Sequence, residues 1–298
     1  MIYEISHVST FDYAQPVSVS HQLLRLKPRE TERQRVARST IAIDPEPATR
    51  EQRRDYFGNE VTYITVQEPH ARLTVRASST VEVETGGAPF LDFGPSWQEV
   101  VRELGAPREP QALAASQFCF RSPFVQMDEG VFRYAVESFT PGARLLPALL
   151  ELTARIHADF RYEGGVTDVW TPVAEVLRRR RGVCQDFAHL EIACLRSLGL
   201  AARYVSGYLL TRPPDGKARL VGADASHAWV SAWCPHLGWV DVDPTNNVVP
   251  SDEHISLAWG RDYGDVSPTN GVIVGGGAHS VAVSVDVSRL ERATDAAR

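Results

Sequence analysis

The chain has 298 residues and a formal net charge of −6 at pH 7. An acidic balance argues against a nucleic-acid or membrane-surface partner, because both select for an excess of basic side chains. The amino terminus shows no signal-peptide pattern, and no segment approaches the ~20 apolar residues that span a bilayer. The four cysteines form no C-x-x-C pair, so we expect a reduced, cytoplasmic protein without structural zinc.

The first 85 residues are predicted to be β-rich. Short alternating segments are separated by Pro, Gly and Asn turns, a pattern typical of an antiparallel sandwich or barrel. Strands are predicted over residues 3–13, 17–26, 36–43, 61–66 and 73–83. Pro16 is expected to break the first strand from the second. Residues 55–59 are interpreted as a turn, and no catalytic group is expected in this region.

A glycine-rich boundary at residues 86–89 leads into a helical region. Helices are predicted over residues 97–104, 131–138 and 145–160. Thr171 and Pro172 then predict the start of a further helix, which runs into four arginines at positions 178–181. Because cations stabilise the carboxyl end of a helix, these arginines are interpreted as a solvated helix end rather than a nucleic-acid site.

Cys184 opens the helix around which the chain is organised. Apolar side chains recur every three or four residues between positions 187 and 198, and Gly199 ends the pattern. A cysteine on the first turn faces free backbone N–H groups and the positive end of the helix dipole, and both favour a thiolate. The alternative is a small buried side chain, the usual role of a free cysteine. His189 and Cys194, further along this helix, are interpreted as structural.

An alternating pattern follows the helix. Strands are predicted over residues 202–210, 226–234 and 239–243, turns over 213–216 and 235–238, and further extended segments over 271–274 and 279–287. His227 begins one strand of the hairpin and Asp243 ends the other, so the two side chains are candidates for a base and its orienting partner. For both to share a face, the connecting loop must hold an odd number of residues or a bulge must intervene.

Three short motifs follow one another along the chain, carrying a cysteine, a histidine and an aspartate in that order. They are Gly182-Val183-Cys184, His227-Ala228-Trp229 and Gly238-Trp239-Val240-Asp241-Val242-Asp243-Pro244-Thr245. Together they resemble the transglutaminase-like superfamily. The segments Leu26-Lys27-Pro28-Arg29 and Phe57-Gly58-Asn59 resemble the β-rich amino-terminal region of its bacterial branch, and residues 260–266 resemble its carboxy-terminal segment.

The resemblance implies an α+β fold, with a papain-like transglutaminase core preceded by an all-β sandwich-like domain. The predicted division is an N-terminal β-rich domain at 1–85, a linker with short helices at 86–140, and the catalytic core at 141–298. Carried over by position, Cys184 is the nucleophile, His227 the base and Asp243 its orienter. Asp241 is the rival for the last role, but the family's aspartate directly precedes Pro-Thr.

The sequence also departs from the animal cross-linking enzymes of this superfamily. Gln185 follows the cysteine where those enzymes carry a tryptophan, and no acidic calcium loop is evident, so neither a metal nor a cofactor is expected. The amide of Cys184 is one expected oxyanion donor, since a helix amino terminus stabilises an oxyanion. Tyr162 or Trp170 is expected to supply the second donor, with Tyr162 favoured. Trp170 and Trp229 are further predicted to line a substrate groove.

The predicted activity is acyl transfer from a protein or peptide amide through a thioester on Cys184. Water as acceptor gives hydrolysis and an amine gives transamidation, and the sequence favours neither. One rival is an arylamine acetyltransferase, which uses the same triad with acetyl-coenzyme A and is disfavoured by Asp243-Pro244-Thr245. The other rival is a non-catalytic peptide-binding module on the same fold, which the presence of all three triad residues disfavours.

Overall fold

The computed structural model describes residues 1–85, 94–210 and 226–290. The boundary predicted at 86–89 and the turn predicted at 213–216 lie outside the described residues.

The described elements follow in chain order. The first part contains β1 (Ile2–Leu24), β2 (Gln34–Asp44), β3 (Thr49–Arg54), β4 (Glu60–Val66) and β5 (His70–Val83). The middle contains α1 (Trp97–Gly105), α2 (Pro110–Ser116), a 3-10 turn (Gln117–Cys119), α3 (Glu129–Val136), α4 (Leu145–Asp159), β6 (Arg161–Tyr162), α5 (Val173–Arg179), β7 (Arg181–Gly182) and α6 (Cys184–Ser197). The last part contains β8 (Ala202–Leu209), β9 (Ser226–Cys234), β10 (Gly238–Val242), β11 (His254–Gly260), α7 (Tyr263–Val266), β12 (Thr269–Gly275) and β13 (His279–Leu290).

The long strand β1 is the centre of a seven-stranded antiparallel sheet. Its first half pairs with β5 and β13, and its second half pairs with β4 and β12. Pro16 does not end the strand as predicted. It lies instead in the interval where the register against β5 shifts, between Asp12 and Val17. A proline has no N–H to give to the ladder, so it is tolerated where pairing is already interrupted.

The last two strands return to this first sheet. β13 pairs with residues 2–13 of β1, and β12 pairs with its residues 17–24. The sequence division placed residues 141–298 together in the core, whereas the structure joins 269–290 to the amino-terminal strands. Pairing between segments so far apart in sequence leaves no local pattern that identifies the partner strand.

The second unit is a four-stranded antiparallel sheet in the order β10-β9-β8-β11, with α6 packed against β8 and β9. Nearly all of α6 is buried, and Gly199 (φ 85°) follows it in the left-handed conformation that favours glycine. Helices and strands therefore form separate layers, and the predicted α+β class with its β-rich amino-terminal region is confirmed. No helix in the described ranges has both the length and the hydropathy to cross a membrane.

Two amide side chains join the first sheet to the outer edge of β11. Gln34 accepts from the N–H of Ser256 and donates to its carbonyl, both at 2.8 Å. Asn59 does the same with Trp259, at 3.0 and 2.9 Å. Each amide thus takes the place of a strand residue on an edge whose backbone groups need partners. Beneath this junction, Ile5 and Val287 share one apolar core with the helices of the second unit.

Candidate active site

Cys184 is the first residue of α6, and its position is fixed by the residues before it. The N–H of Val183 donates to Asp186 Oδ2 at 2.8 Å, and Thr167 Oγ1 donates to the same oxygen at 2.7 Å. A Cβ at Gly182 would lie 2.5 Å from that oxygen, so this turn requires glycine. The arrangement leaves Cys184 half-buried at the helix amino terminus, as the sequence predicted.

The hairpin of β9 and β10 brings His227 and Asp243 together. Its pairing runs from Gly238 opposite Cys234 to Val242 opposite Val230, so three residues form the loop, an odd number as the parity argument requires. Asp243 directly follows β10 and lies diagonally across from His227. Their Nε2 and Oδ2 atoms are 2.7 Å apart.

Asp243 is fully buried and accepts hydrogen bonds at both oxygens. Oδ1 accepts the backbone N–H groups of Thr245 at 2.9 Å and Asn246 at 3.2 Å. Oδ2 accepts from the Asn246 amide at 2.7 Å and from His254 Nε2 at 3.2 Å, in addition to His227. Burial opposes ionisation, but the hydrogen bonds from His227 and His254 hold the pKa of this carboxyl well below its usual range.

His227 stands between this carboxylate and Cys184. A carboxylate can only accept, so Nε2 carries a proton toward Asp243, and Nδ1 is the nitrogen left to face the thiol. Burial lowers the pKa of His227, but hydrogen bonds with Asp243 and Cys184 outweigh it and raise that pKa to about 10. The arrangement thus favours an imidazolium beside the sulfur.

Sequence reasoning missed two of the groups around Asp243. Asn246 had a local signal, because an Asp followed by Pro-Thr-Asn is a turn sequence whose side chains bond to nearby backbone. His254 had only a weak signal, because the alternation of β11 is interrupted by an irregularity between Ser256 and Ala258. The side-chain ligand atoms of His227, Asp243 and His254 lie within 4.8 Å of one another, as a metal site would require. Both histidines bond through Nε2 to the same carboxylate oxygen, while Nδ1 of His254 is buried without a hydrogen-bond partner among the described residues.

Trp229 is buried behind the histidines and does not line the groove that the sequence predicted. Its ring meets His254 edge to face, with centroids 5.2 Å apart, and its Nε1 donates to Asp241 Oδ2 at 3.1 Å. Alternation puts Trp229 and His227 on one face of β9, but only the packing shows that Trp229 is covered. Asp241 is therefore the hydrogen-bond partner of Trp229, while Asp243 is the partner of His227.

A cavity of about 390 Å³ opens over Cys184. Two parts of the chain line it: Cys184, Tyr204, Ser206 and His227 from the second unit, and His7, Ser9, Phe11, Val281 and Val283 from the first sheet. The cysteine and histidine thus share a space that is large enough for a substrate side chain.

Comparison with known sequences shows which family the chain resembles. Residues 140–244 match the profile of the transglutaminase-like superfamily, and residues 3–82 match that of the bacterial transglutaminase-like N-terminal region. An uncharacterized protein of Mycobacterium tuberculosis strain H37Rv is 42% identical over 296 residues, covering 97% of this chain and 93% of the relative. The chain belongs to the transglutaminase-like superfamily. The predicted family is confirmed.

One further similar sequence and one similar solved structure have names that state an activity. A protein-glutamine gamma-glutamyltransferase of Pseudomonas aeruginosa is 42% identical over 72 residues, which cover 24% of this chain and 11% of that protein. A crystal structure of a candidate cysteine protease from Cytophaga hutchinsonii has a TM-score of 0.74 at 22% identity, covering 99% of this chain and 92% of that one. The second likeness extends the shared fold over both units.

The remaining site residues predicted in this transglutaminase-like core lie at the surface. Tyr162 lies on β6 beside Gly182 and is 58% exposed; its partial burial, together with the charges of Cys184 and Asp186, raises its pKa. Trp170 is exposed and stacks on Phe124, with centroids 4.9 Å apart. Neither side chain is among the described residues that line the cavity.

The two α6 side chains interpreted as structural are buried. His189 packs against Phe124 and Tyr204, and its Nε2 accepts the N–H of Tyr263 at 3.2 Å. Burial, with a smaller contribution from Arg196, lowers the pKa of His189 to about 3. Cys194 is fully buried in the core, where burial raises the pKa of its thiol.

Proposed function

We propose that this protein is a cysteine acyl-transfer enzyme that acts on protein or peptide amides. One observation carries the proposal: His227 is held between a buried, ionised Asp243 and Cys184, and the cysteine faces a cavity. Cys184 is the nucleophile, His227 the general base and acid, and Asp243 the group that orients the ring and stabilises the imidazolium.

The steps follow from this geometry. The Cys184 thiolate attacks the carbonyl carbon of an amide, and the His227 imidazolium gives its proton to the leaving amine as the C–N bond breaks. A thioester remains on the sulfur. His227 then takes a proton from water or from an acceptor amine, which attacks the thioester and releases an acid or a new amide together with the thiolate.

The developing oxyanion needs donors near the start of α6. The backbone N–H of Cys184 is one, because the first N–H groups of a helix have no partner within the helix. We assign the second to Tyr162, since β6 runs parallel to β7 and places this residue beside Gly182, two positions before the cysteine. Trp170, which stacks on Phe124, is the alternative.

The comparisons support both acceptors without choosing between them. A glutamyltransferase transfers acyl groups to amines, and a cysteine protease transfers them to water, so relatives of both kinds are compatible with one thioester intermediate.

Mass spectrometry of the intact protein tests the proposal. The protein is incubated with a library of glutamine-containing peptides, with and without a primary amine, and the reaction is quenched in acid. We expect a peptide acyl adduct on Cys184, and we expect the added amine to shorten the lifetime of this adduct. Cys184→Ala should form no adduct. An adduct on another cysteine, or turnover by Cys184→Ala, would overturn the assignment. The products, acid or substituted amide, identify the natural acceptor class.

A cytoplasmic location is part of the same proposal. Cys119, Cys184, Cys194 and Cys234 are all free. A thiol nucleophile and three unpaired thiols fit a reducing compartment. Cell fractionation with a tagged chain tests this, and recovery in the periplasmic or secreted fraction would contradict it.

A further inference from the structure

The cavity wall opposite Cys184 comes from the first sheet. Ser9 of β1 pairs with Val283 of β13, and Phe11 pairs with Val281. Paired residues share a face in an antiparallel sheet, and this face is turned toward the nucleophile. The amino-terminal sheet therefore forms part of the site.

One face of β13 carries four valines in succession, at alternate positions, but only two of them are covered. Val285 and Val287 are 1% and 0% exposed, because they pack into the core shared with the second unit. Val281 and Val283 continue the same face and are 56% and 53% exposed. The cover ends where the cavity begins. Exposed apolar side chains that adjoin a nucleophile in a cavity are typical of a surface that a ligand covers.

The same wall offers no charge to a ligand. The described residues that line the cavity include no Asp, Glu, Lys or Arg. Buried His7 has its ring nitrogens 2.9 Å from Ser9 Oγ and 2.9 Å from the Tyr208 hydroxyl, and burial lowers its pKa to about 4, so it is neutral at pH 7. A charged side chain that packed against this wall would lose hydration without gaining a charged partner from the wall itself.

We propose that Phe11, Val281 and Val283, together with the Ser9 hydroxyl, form a subsite for an uncharged, apolar side chain of the acyl donor. This inference rests on the proposed function, because it takes Cys184 as the acyl acceptor. The first sheet then selects the substrate, while the second unit carries the chemistry.

Affinity labelling tests the subsite without a known substrate. Acetyl-amino-acid chloromethyl ketones that differ only in their side chain (Leu, Phe, Asp or Lys) alkylate a thiolate with loss of chloride. Iodoacetamide has no such side chain and reports the reactivity of Cys184 alone. We expect the Leu and Phe reagents to inactivate roughly tenfold or more faster than the Asp and Lys reagents, as expected for burying one apolar side chain.

A charge placed in the wall should reverse this preference. In Val283→Asp the rate of each ketone is divided by that variant's own rate of iodoacetamide labelling, which corrects for any effect of the new charge on the thiol. The corrected rate is expected to fall for the Leu reagent and to rise for the Lys reagent. Val272→Asp is the matched control, since Val272 is a 69% exposed valine of β12 that does not line the cavity. The control should keep the wild-type ratio of Leu to Lys rates.

The outcomes separate the two proposals. Equal rates for all four ketones, or an unchanged ratio in Val283→Asp, would overturn the subsite while fast iodoacetamide labelling of Cys184 left the nucleophile in place. Failure of Cys184 to react with either class of reagent would remove the nucleophile, and both proposals with it.

Discussion

The two sides of His227 are built in opposite ways. On one side Asp243 is fully buried and accepts hydrogen bonds from five groups: three belong to two residues that follow β10, one to β9 and one to β11. On the other side Cys184 is half-buried and faces a cavity. An orienting charge works best when water is excluded and its geometry is fixed, whereas a nucleophile must remain reachable. Damage to the two sides should therefore have different signatures.

The largest effect is expected on the open side. Cys184→Ala should abolish turnover, since no other thiol faces His227, and should change the free energy of unfolding by less than about 1 kcal/mol, because the side chain is only half-buried. Turnover and urea unfolding measure the two quantities. Cys194→Ala is the contrast: this buried thiol should cost stability while activity per folded molecule persists. Residual turnover in Cys184→Ala above that of a buffer blank would contradict the assignment.

The next effect is on the buried side. Asp243→Asn keeps the shape but removes the charge that holds the His227 imidazolium, and should lower kcat by about 10³–10⁴, as the same change does in a serine triad. Asp241→Asn leaves an oxygen to accept from Trp229 and should lower kcat by less than about tenfold. Steady-state kinetics of the two variants checks this. A larger loss at position 241 would show that the two aspartates have been assigned in the wrong order.

His254 tests how much the second histidine contributes to the fixed side. His254→Phe removes a donor to the Asp243 carboxylate, and a hydrogen bond to a charged group is worth about 1.5–3 kcal/mol, so kcat should fall roughly 10–100-fold with KM unchanged. His254→Gln retains an amide N–H and should recover most of that loss. If Phe and Gln behave alike in a folded protein, His254 fills space and does not position the aspartate.

The smallest effect is on stability as a function of pH. The pKa of His227 is about 10 in the folded protein, above its ordinary value of 6.5. The stability contributed by the protonated ring is therefore complete below pH 6.5 and is lost as the pH rises through about 10. The gap in unfolding free energy between wild type and His227→Gln should narrow between about pH 7 and pH 10. His7→Gln is the control, because His7, with its pKa near 4, is neutral in both states over this range. If the difference in unfolding free energy between wild type and His227→Gln stays constant over this pH range, the raised pKa of His227 is contradicted.

Contacts between residues that are close in sequence could be predicted, whereas contacts between distant segments could not. Cys184 on α6 and the His227–Asp243 hairpin follow from local periodicity and from a loop of odd length. The partner of β13 does not, because its alternating valines would look the same against any strand. His254 reaches Asp243 only through the pairing of β11 with β8, a contact between segments that are not adjacent in sequence. Alternation puts Trp229 on the same face as His227, but it cannot distinguish a covered face from an open one, so the predicted groove position of Trp229 is not met.

The pairing of residues 2–13 with 279–290 bears on the order in which the parts of the site assemble during folding. During synthesis, β13 is made after Cys184, His227 and Asp243, and contacts between distant segments are the slow ones to form. We therefore expect the Cys184–His227–Asp243 site to assemble before the wall that is proposed to select the substrate. During refolding from denaturant, we expect protection of buried Cys194 to appear first and discrimination between the Leu and Lys ketones to appear later. Simultaneous appearance would mean that the first sheet and the core fold as one unit.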